Sequence, residues 1–237
     1  MLLLIERVCF GEKEWDLFVL SMTWPATLCK FSKLYNKDHQ RCITSDMWEI
    51  HGLWPSLSNG ARSPEYCNIS HSFSPDEIRD ILSKLEKYWA DELPGKNKYQ
   101  FWKHEWEKHG RCATVVKATG TELKYFNTTI ALRLKYDVDR MLSSADIKPG
   151  RSYKLLDIKK AVSRKTGAMP RVLCGIYKRK AWISQLQICM NKDFKVTNCP
   201  SPKSSSEADY PDNKKKTLPP SDRCFDMVFY TEKVNTS

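Results

Sequence analysis

The sequence predicts an α+β fold in a single domain, with a central antiparallel sheet and helices packed against it. Strand-like runs stand at both ends of the chain, helical periodicity is confined to the middle, and no internal repeat imposes a βαβ order. The length of 237 residues exceeds a common domain of roughly 150 without requiring two. Pro200 to Asp222 is too polar and proline-rich to pack, so the stretch at about 200–222 reads as a flexible loop within the domain. The expected division is 1–14 as an N-terminal extension or truncated signal region, and 15–237 as the domain.

The elements follow in order. Trp15 to Thr23 is a short aromatic and aliphatic run stopped by Trp24-Pro25, the pattern of a buried strand. Met47 to His51 reads as a second strand, closed by Gly52 and Pro55. Ser74-Pro75-Asp76-Glu77 has the form of a capping box with proline at the first helical position, and Ile78, Ile81, Leu82 and Leu85 continue at helical spacing toward Pro94-Gly95. Segments 100–109, 121–143 and 155–165 are also predicted helical. Val172 to Tyr177, Ala181 to Met190 and Met227 to Tyr230 return to strand, which brings both ends of the chain into one sheet.

Composition narrows the classes. With 41% hydrophobic residues, 8 Trp, 9 Phe and 10 Tyr the chain carries a core, which excludes wholesale disorder and a collagen-like or heptad-built fibre. No run approaches the roughly 18 apolar residues of a membrane span. The excess of 39 Lys+Arg over 28 Asp+Glu, a net +11, suits a polyanion or an acidic membrane surface, and equally a basic protein kept soluble by its charge. Nine cysteines spread along the chain without close pairs disfavour a zinc site. Together with sequons at Asn68, Asn127 and Asn235 they point to an oxidising secretory route. Met1 to Ile5 is shorter than the roughly 7 to 15 apolar residues of a signal core, so the start reads as truncated or atypical.

Three of the five histidines fall in two short aromatic stretches: His51 in residues 48–55, and His104 with His109 in residues 101–110. On a helix, His104, Glu105, Lys108 and His109 share one arc of about 140°. A zincin helix needs histidines four apart with Glu directly after the first, and these are five apart, so the spacing argues against one metal ion. Histidines hydrogen-bonded inside a Trp-rich core are the bland alternative. The remaining chemistry is acid/base work near an anion, because imidazole alone titrates near neutrality without perturbation. RNA cleavage needs such a pair, one group to deprotonate the ribose 2′-OH and one to protonate the departing 5′-oxygen. Lys108 and protonated His104 would neutralise the charge gathering on phosphorus.

Ile50-His-Gly-Leu-Trp-Pro55, followed by Phe101-Trp-Lys-His-Glu-Trp-Glu-Lys-His-Gly110 and Cys112, resembles the two active-site segments of the ribonuclease T2 family, in order. Trp24-Pro25 before Cys29 resembles that family's first strand, so the likeness spans roughly residues 15 to 230. It implies an acid endoribonuclease of the animal secreted or lysosomal type acting on single-stranded RNA through a 2′,3′-cyclic phosphate. DNA lacks the attacking hydroxyl and would not be cut. The resemblance assigns acid/base roles to His51 and His109, assistance at the phosphate to Glu105, His104 and Lys108, and base stacking to Trp54, with no metal or cofactor. It further implies disulfides Cys29–Cys42, Cys67–Cys112, Cys174–Cys224 and Cys189–Cys199, with Cys9 left over, and a monomer.

Two departures touch base preference: Met22 stands where the family often has Gln, and Ser56 where Asp is common. Arg111 replaces a usual Thr and reads as a solvent-exposed cation. Trp89, Trp102 and Trp106 read as core. The competing class is a binding protein that uses the basic surface and the 200–222 segment to engage polyanions or a cell-surface partner.

Overall fold

In the computed structural model the described residues are 14–35, 45–61, 63–67, 72–91, 97–200 and 224–233. Seven strands form one sheet among them: β1 (Leu17–Thr23), β2 (Glu49–Ser56), β3 (Arg151–Lys154), β4 (Arg171–Tyr177), β5 (Lys180–Asn191), β6 (Val196–Thr197) and β7 (Met227–Tyr230). The order is β2-β1-β5-β7-β3, with β4 and β6 also paired to β5. Pairing is antiparallel, as expected, except at β5 and β7, where Trp182 meets Phe229 in parallel. β5 is the spine, and through it the two ends of the chain meet.

The helices are α1 (Pro25–Tyr35), α2 (Leu82–Tyr88), α3 (Gln100–Lys108), α4 (Glu122–Lys135), α5 (Val138–Ser143) and α6 (Leu155–Thr166). None among the described residues is long and apolar enough to cross a membrane. Several differ from expectation for local reasons. Pro25 ends β1 and also starts α1, where its missing N–H is one of the unpaired donors of any helix start. β2 continues through Gly52 and Pro55 to Ser56, since β2 ends the sheet order and a proline at an edge costs no ladder bond.

The capping box at Ser74 does not form. The Ser74 backbone N–H donates instead to Glu122 (3.0 Å), turns and a single 3₁₀ turn (Arg79–Ile81) follow, and α2 starts only at Leu82. Ile78, Ile81 and Leu85 are buried all the same. The 121–143 stretch is two helices, because Asp137 adopts an extended backbone and its side chain accepts from the Arg140 N–H, capping a new start. Strands β3 and β6 are too short and polar for their residues to have suggested them. Residues 201–223, most of the proposed 200–222 loop, lie outside the described residues, as do residues 1–13.

Strand β1 is buried on both faces. Phe18, Leu20 and Met22 join the main core with the inward residues of the helices, whereas Leu17 and Val19 form a smaller cluster with Cys189 and Trp54. Indole N–H groups tie distant segments across the core: Trp15 donates to the Cys112 carbonyl (3.0 Å), Trp24 to Thr231 (2.9 Å), and Trp48 to the Tyr230 hydroxyl (2.8 Å). Bridges Cys67–Cys112, Cys174–Cys224 and Cys189–Cys199 are formed. Cys29 is also disulfide-bonded, while Cys42 lies outside the described residues.

The start of β2 is held by one buried cation. Arg133 on α4 donates to the Trp48 carbonyl (2.8 Å) and to Asp139 on α5 (2.7 Å), whose carboxylate also accepts from the Trp48 N–H. Replacing Arg133 by Met strands that carbonyl and that carboxylate, and should cost about 2–3 kcal/mol, discounted from a fully buried pair because Asp139 is partly solvated. Urea unfolding of the variant against the parent measures it.

Candidate active site

His51 sits at an irregularity in β2. Ser21 of β1 pairs with Gly52 and Met22 with Ile50, so His51 is the extra residue of a β-bulge. In a regular strand, residues three apart point to opposite faces; the bulge turns His51 to the side of Trp54. The two rings meet edge to face at 5.0 Å. Gly52 completes the arrangement, because a Cβ there would lie 2.2 Å from both Glu105 Oε2 and Trp54 Nε1. Only glycine leaves room for that carboxylate to reach the indole.

The second segment arrives on α3. Trp102 and Trp106 are buried in the main core, which fixes the rotation of the helix and sends Glu105, 1% exposed, toward β2. There Glu105 accepts from Trp54 Nε1 (2.8 Å), with its other oxygen 4.0 Å from His51 Nε2. His109 caps the C-terminus of α3 and is largely buried, its ring 5.3 Å from that of Trp54. Its Nδ1 has no hydrogen-bond partner. The structure thus brings His51, Trp54, Glu105 and His109 together.

His104 and Lys108 lie on the more exposed side of the same turns. Lys108 Nζ is 3.5 Å from Glu65. Both act by charge on the largely buried His109 and on His51, whose side chain is 33% exposed.

The helical arc predicted from spacing is therefore divided, with Glu105 and His109 inward and His104 and Lys108 outward. Among the described residues no three His, Cys, Asp or Glu side chains converge as a metal site.

Burial dominates the electrostatics. It pushes the Glu105 carboxyl up to about 8, opposed by the Trp54 hydrogen bond and by Lys108. Burial, then the charges of His104 and Lys108, push His51 down to about 4. His109 is pushed down to about 3 by burial, Lys108, His51 and His104. Partial burial and Lys108 also lower His104, against Glu107 and Glu65. Near neutral pH these shifts leave Glu105 protonated and the His51 and His109 imidazoles uncharged; an anion held beside them favours the charged imidazoles.

Trp89, Trp102 and Trp106 are core, and Trp89 donates to the His51 carbonyl (2.9 Å) while accepting at its own carbonyl from Trp102 (2.7 Å). Met22 is fully buried, so it offers no surface to a base, and Ser56 is buried with its hydroxyl on the Trp54 carbonyl. Arg111 is no solvent cation: it pairs with Glu107 (3.3 Å) and is 18% exposed. Asn127 is exposed on α4; Asn68 and Asn235 lie outside the described residues.

Sequence reasoning missed Gln185 on β5, which lies 2.8 Å from His51 Nδ1, and the contact of Phe101 with the His51 ring at 5.9 Å. A pair of glutamines two apart in an otherwise apolar strand was the available signal for the first.

Glu105 yields a stability prediction with a definite sign. A carboxyl whose folded pKa is raised stabilises the fold below its unfolded value near 4.5, and that contribution is lost as pH rises through about 8. Glu105→Gln keeps an uncharged group there, so its melting temperature should gain on the parent's between pH 5 and pH 8. Scanning calorimetry at the two pH values checks it.

Residues 15–199 match the ribonuclease T2 family. The chain is 33% identical to ribonuclease Oy of Magallana gigas over 216 residues, 88% of this chain and 98% of that protein. It is 35% identical to ribonuclease T2 of Homo sapiens over 195 residues, 80% of this chain and 72% of that protein. The crystal structure of human RNase T2 superposes with a TM-score of 0.68 at 36% identity, covering 78% of this chain and 90% of that one. RNase NT, solved with 5′-AMP, gives 0.70 at 27% identity over 92% and 99%. With the bulged histidine, the buried glutamate and the helix-end histidine carried on a sheet superposable with theirs, the chain belongs to the ribonuclease T2 family of endoribonucleases.

Proposed function

We propose that the protein is a metal-independent acid endoribonuclease that cleaves single-stranded RNA by transesterification, with His51 and His109 as its acid/base pair. The observation that carries this reading is the approach of both imidazoles to one indole, Trp54, from segments 58 residues apart in the chain (51 and 109), beside a buried carboxyl. One imidazole takes the proton of the ribose 2′-OH. The 2′-oxygen attacks phosphorus, the bond from phosphorus to the 5′-oxygen breaks, and the other imidazolium protonates that oxygen. Products are a 2′,3′-cyclic phosphate and a free 5′-hydroxyl; water opens the ring with the roles exchanged.

The surrounding groups have distinct tasks. Lys108 and a charged His104 meet the phosphoryl oxygens, and Glu105 holds Trp54 in place with its other oxygen turned to His51. Trp54, partly exposed and held at its N–H, offers a ring face for an unstacked base. Disulfides and the exposed Asn127 sequon support a glycosylated product of an oxidising secretory route, secreted or lysosomal.

Cleavage of single-stranded RNA in EDTA should therefore proceed, with a maximum below pH 6.5, because both imidazoles are held below their ordinary value and one must be charged. His51→Phe and His109→Phe should each lose about 100-fold or more in rate while melting as cooperatively as the parent. Chromatography of the products should show 2′,3′-cyclic ends, and single-stranded DNA should remain intact. A folded His109→Phe protein cutting at the parental rate would sink the assignment. For Trp54→Ala, weaker RNA binding is expected; an unchanged KM would tell against stacking.

A further inference from the structure

Three polar side chains are buried in the middle of the sheet, where apolar ones would be expected. Ser21 on β1 is 0% exposed, and Gln185 and Gln187 on β5 are 6% and 4% exposed. Ser21 and Gln187 are direct cross-strand partners, and Ser21 faces Gly52 on its other side, next to the bulge at His51. The hydrogen bonds run in one direction across the three strands. Gln187 Nε2 donates to Ser21 Oγ (3.4 Å), and Ser21 Oγ donates to Gln185 Oε1 (3.2 Å). With its oxygen so engaged, Gln185 turns its Nε2 to His51 Nδ1 at 2.8 Å.

An amide nitrogen is only a donor, so Nδ1 must accept, and a neutral His51 then carries its proton on Nε2. Nε2 is the nitrogen that faces Glu105. We propose that Gln185, with its direction set by Ser21 and Gln187, is the positioning residue that fixes the ring orientation and resting tautomer of His51. This rests on the acid/base role given to His51 above.

The choice of an amide is itself informative. During turnover His51 must exist both neutral and charged, and the charged ring has N–H on both nitrogens. Gln185 can follow by turning over, presenting Oε1 to Nδ1–H and Nε2 to Ser21; the Gln187 amide turns over with it, so that the Ser21 hydroxyl donates to Gln187 Oε1, a buried oxygen without a partner in the resting arrangement. The ring stays held in both states. A carboxylate at the same place could only accept, and would favour the charged ring throughout. The charged or titratable groups acting on His51 are Glu105, His104 and Lys108 on α3 and His109 at its end; β5 contributes only the neutral amide.

The first test needs no substitution in the relay. Long-range proton–nitrogen NMR of the wild-type protein at pH 7, with His51 assigned by its loss in His51→Phe, should place the proton on Nε2 and leave Nδ1 bare. A proton on Nδ1 overturns the proposal.

Kinetics of folded variants supply the second test. Gln185→Leu should lower kcat about tenfold or more with KM nearly unchanged, since misplacement of a catalytic group acts on the chemical step. Gln185→Glu should move the proton to Nδ1 and raise by about one pH unit or more the pH-profile limb that reports His51. Ser21→Ala leaves Gln185 without a fixed direction, and should show a mixture of tautomers and a smaller loss. An unmoved limb in Gln185→Glu, or an unmixed tautomer in Ser21→Ala, contradicts the relay. Activity retained by His51→Phe would instead overturn the acid/base reading, whatever the tautomer, so the two failures are distinguishable.

Discussion

The hydrogen bond from the Trp54 indole to the Glu105 carboxyl across Gly52 joins the two halves of the site, and the rest of the arrangement depends on it. At 2.8 Å it ties the bulged strand directly to α3. A carboxyl that is 1% exposed would cost several kcal/mol as an unpaired ion, so it rests largely protonated, and its indole partner supplies one of the few hydrogen bonds it can make there. Burial therefore positions the glutamate, tunes it and holds Trp54 beside the two imidazoles with one contact.

Tryptophan does more than fill volume in this protein. A chain of indole donors runs from Trp102 through the Trp89 carbonyl and from Trp89 to the carbonyl of His51, so the helical layer is hydrogen-bonded to the backbone of the strand that carries His51. Trp48, two residues before Ile50, is bound at its indole by Tyr230 of the last strand and at its backbone by Arg133 and Asp139. Each bond satisfies a polar group that burial would otherwise penalise, and each spans a long stretch of sequence. Such ties keep a bulge, normally a weak point of a ladder, at a defined geometry.

The legibility of the chain follows the same physics. Long apolar runs announced β1, β4 and β5, and helical spacing announced α3 and α6, because periodicity survives whatever the partners are. The capping box at Ser74 was misleading, since Glu122 from a distant helix takes the N–H that local geometry had reserved. Pro25 was read as a stop when it was also a start. The single helix expected over 121–143 broke at Asp137, whose carboxylate caps a second one. In each case a longer-range or reciprocal hydrogen bond prevailed over a local preference.

What the sequence by itself determined is chemistry and its grouping: two aromatic segments with His51, Trp54, Glu105, Lys108 and His109, the family they resemble, and a fold class set by the order of strands and helices. Tertiary structure decided the rest. It placed His51 and Trp54 on one side of a strand through a bulge that no periodicity encodes, divided the helical arc into buried Glu105 and His109 and outward His104 and Lys108, and brought Gln185 to His51 from 134 residues away. The physical reason is that register, burial and side-chain hydrogen bonding depend on which surfaces meet, and residues far apart in the chain supply those surfaces.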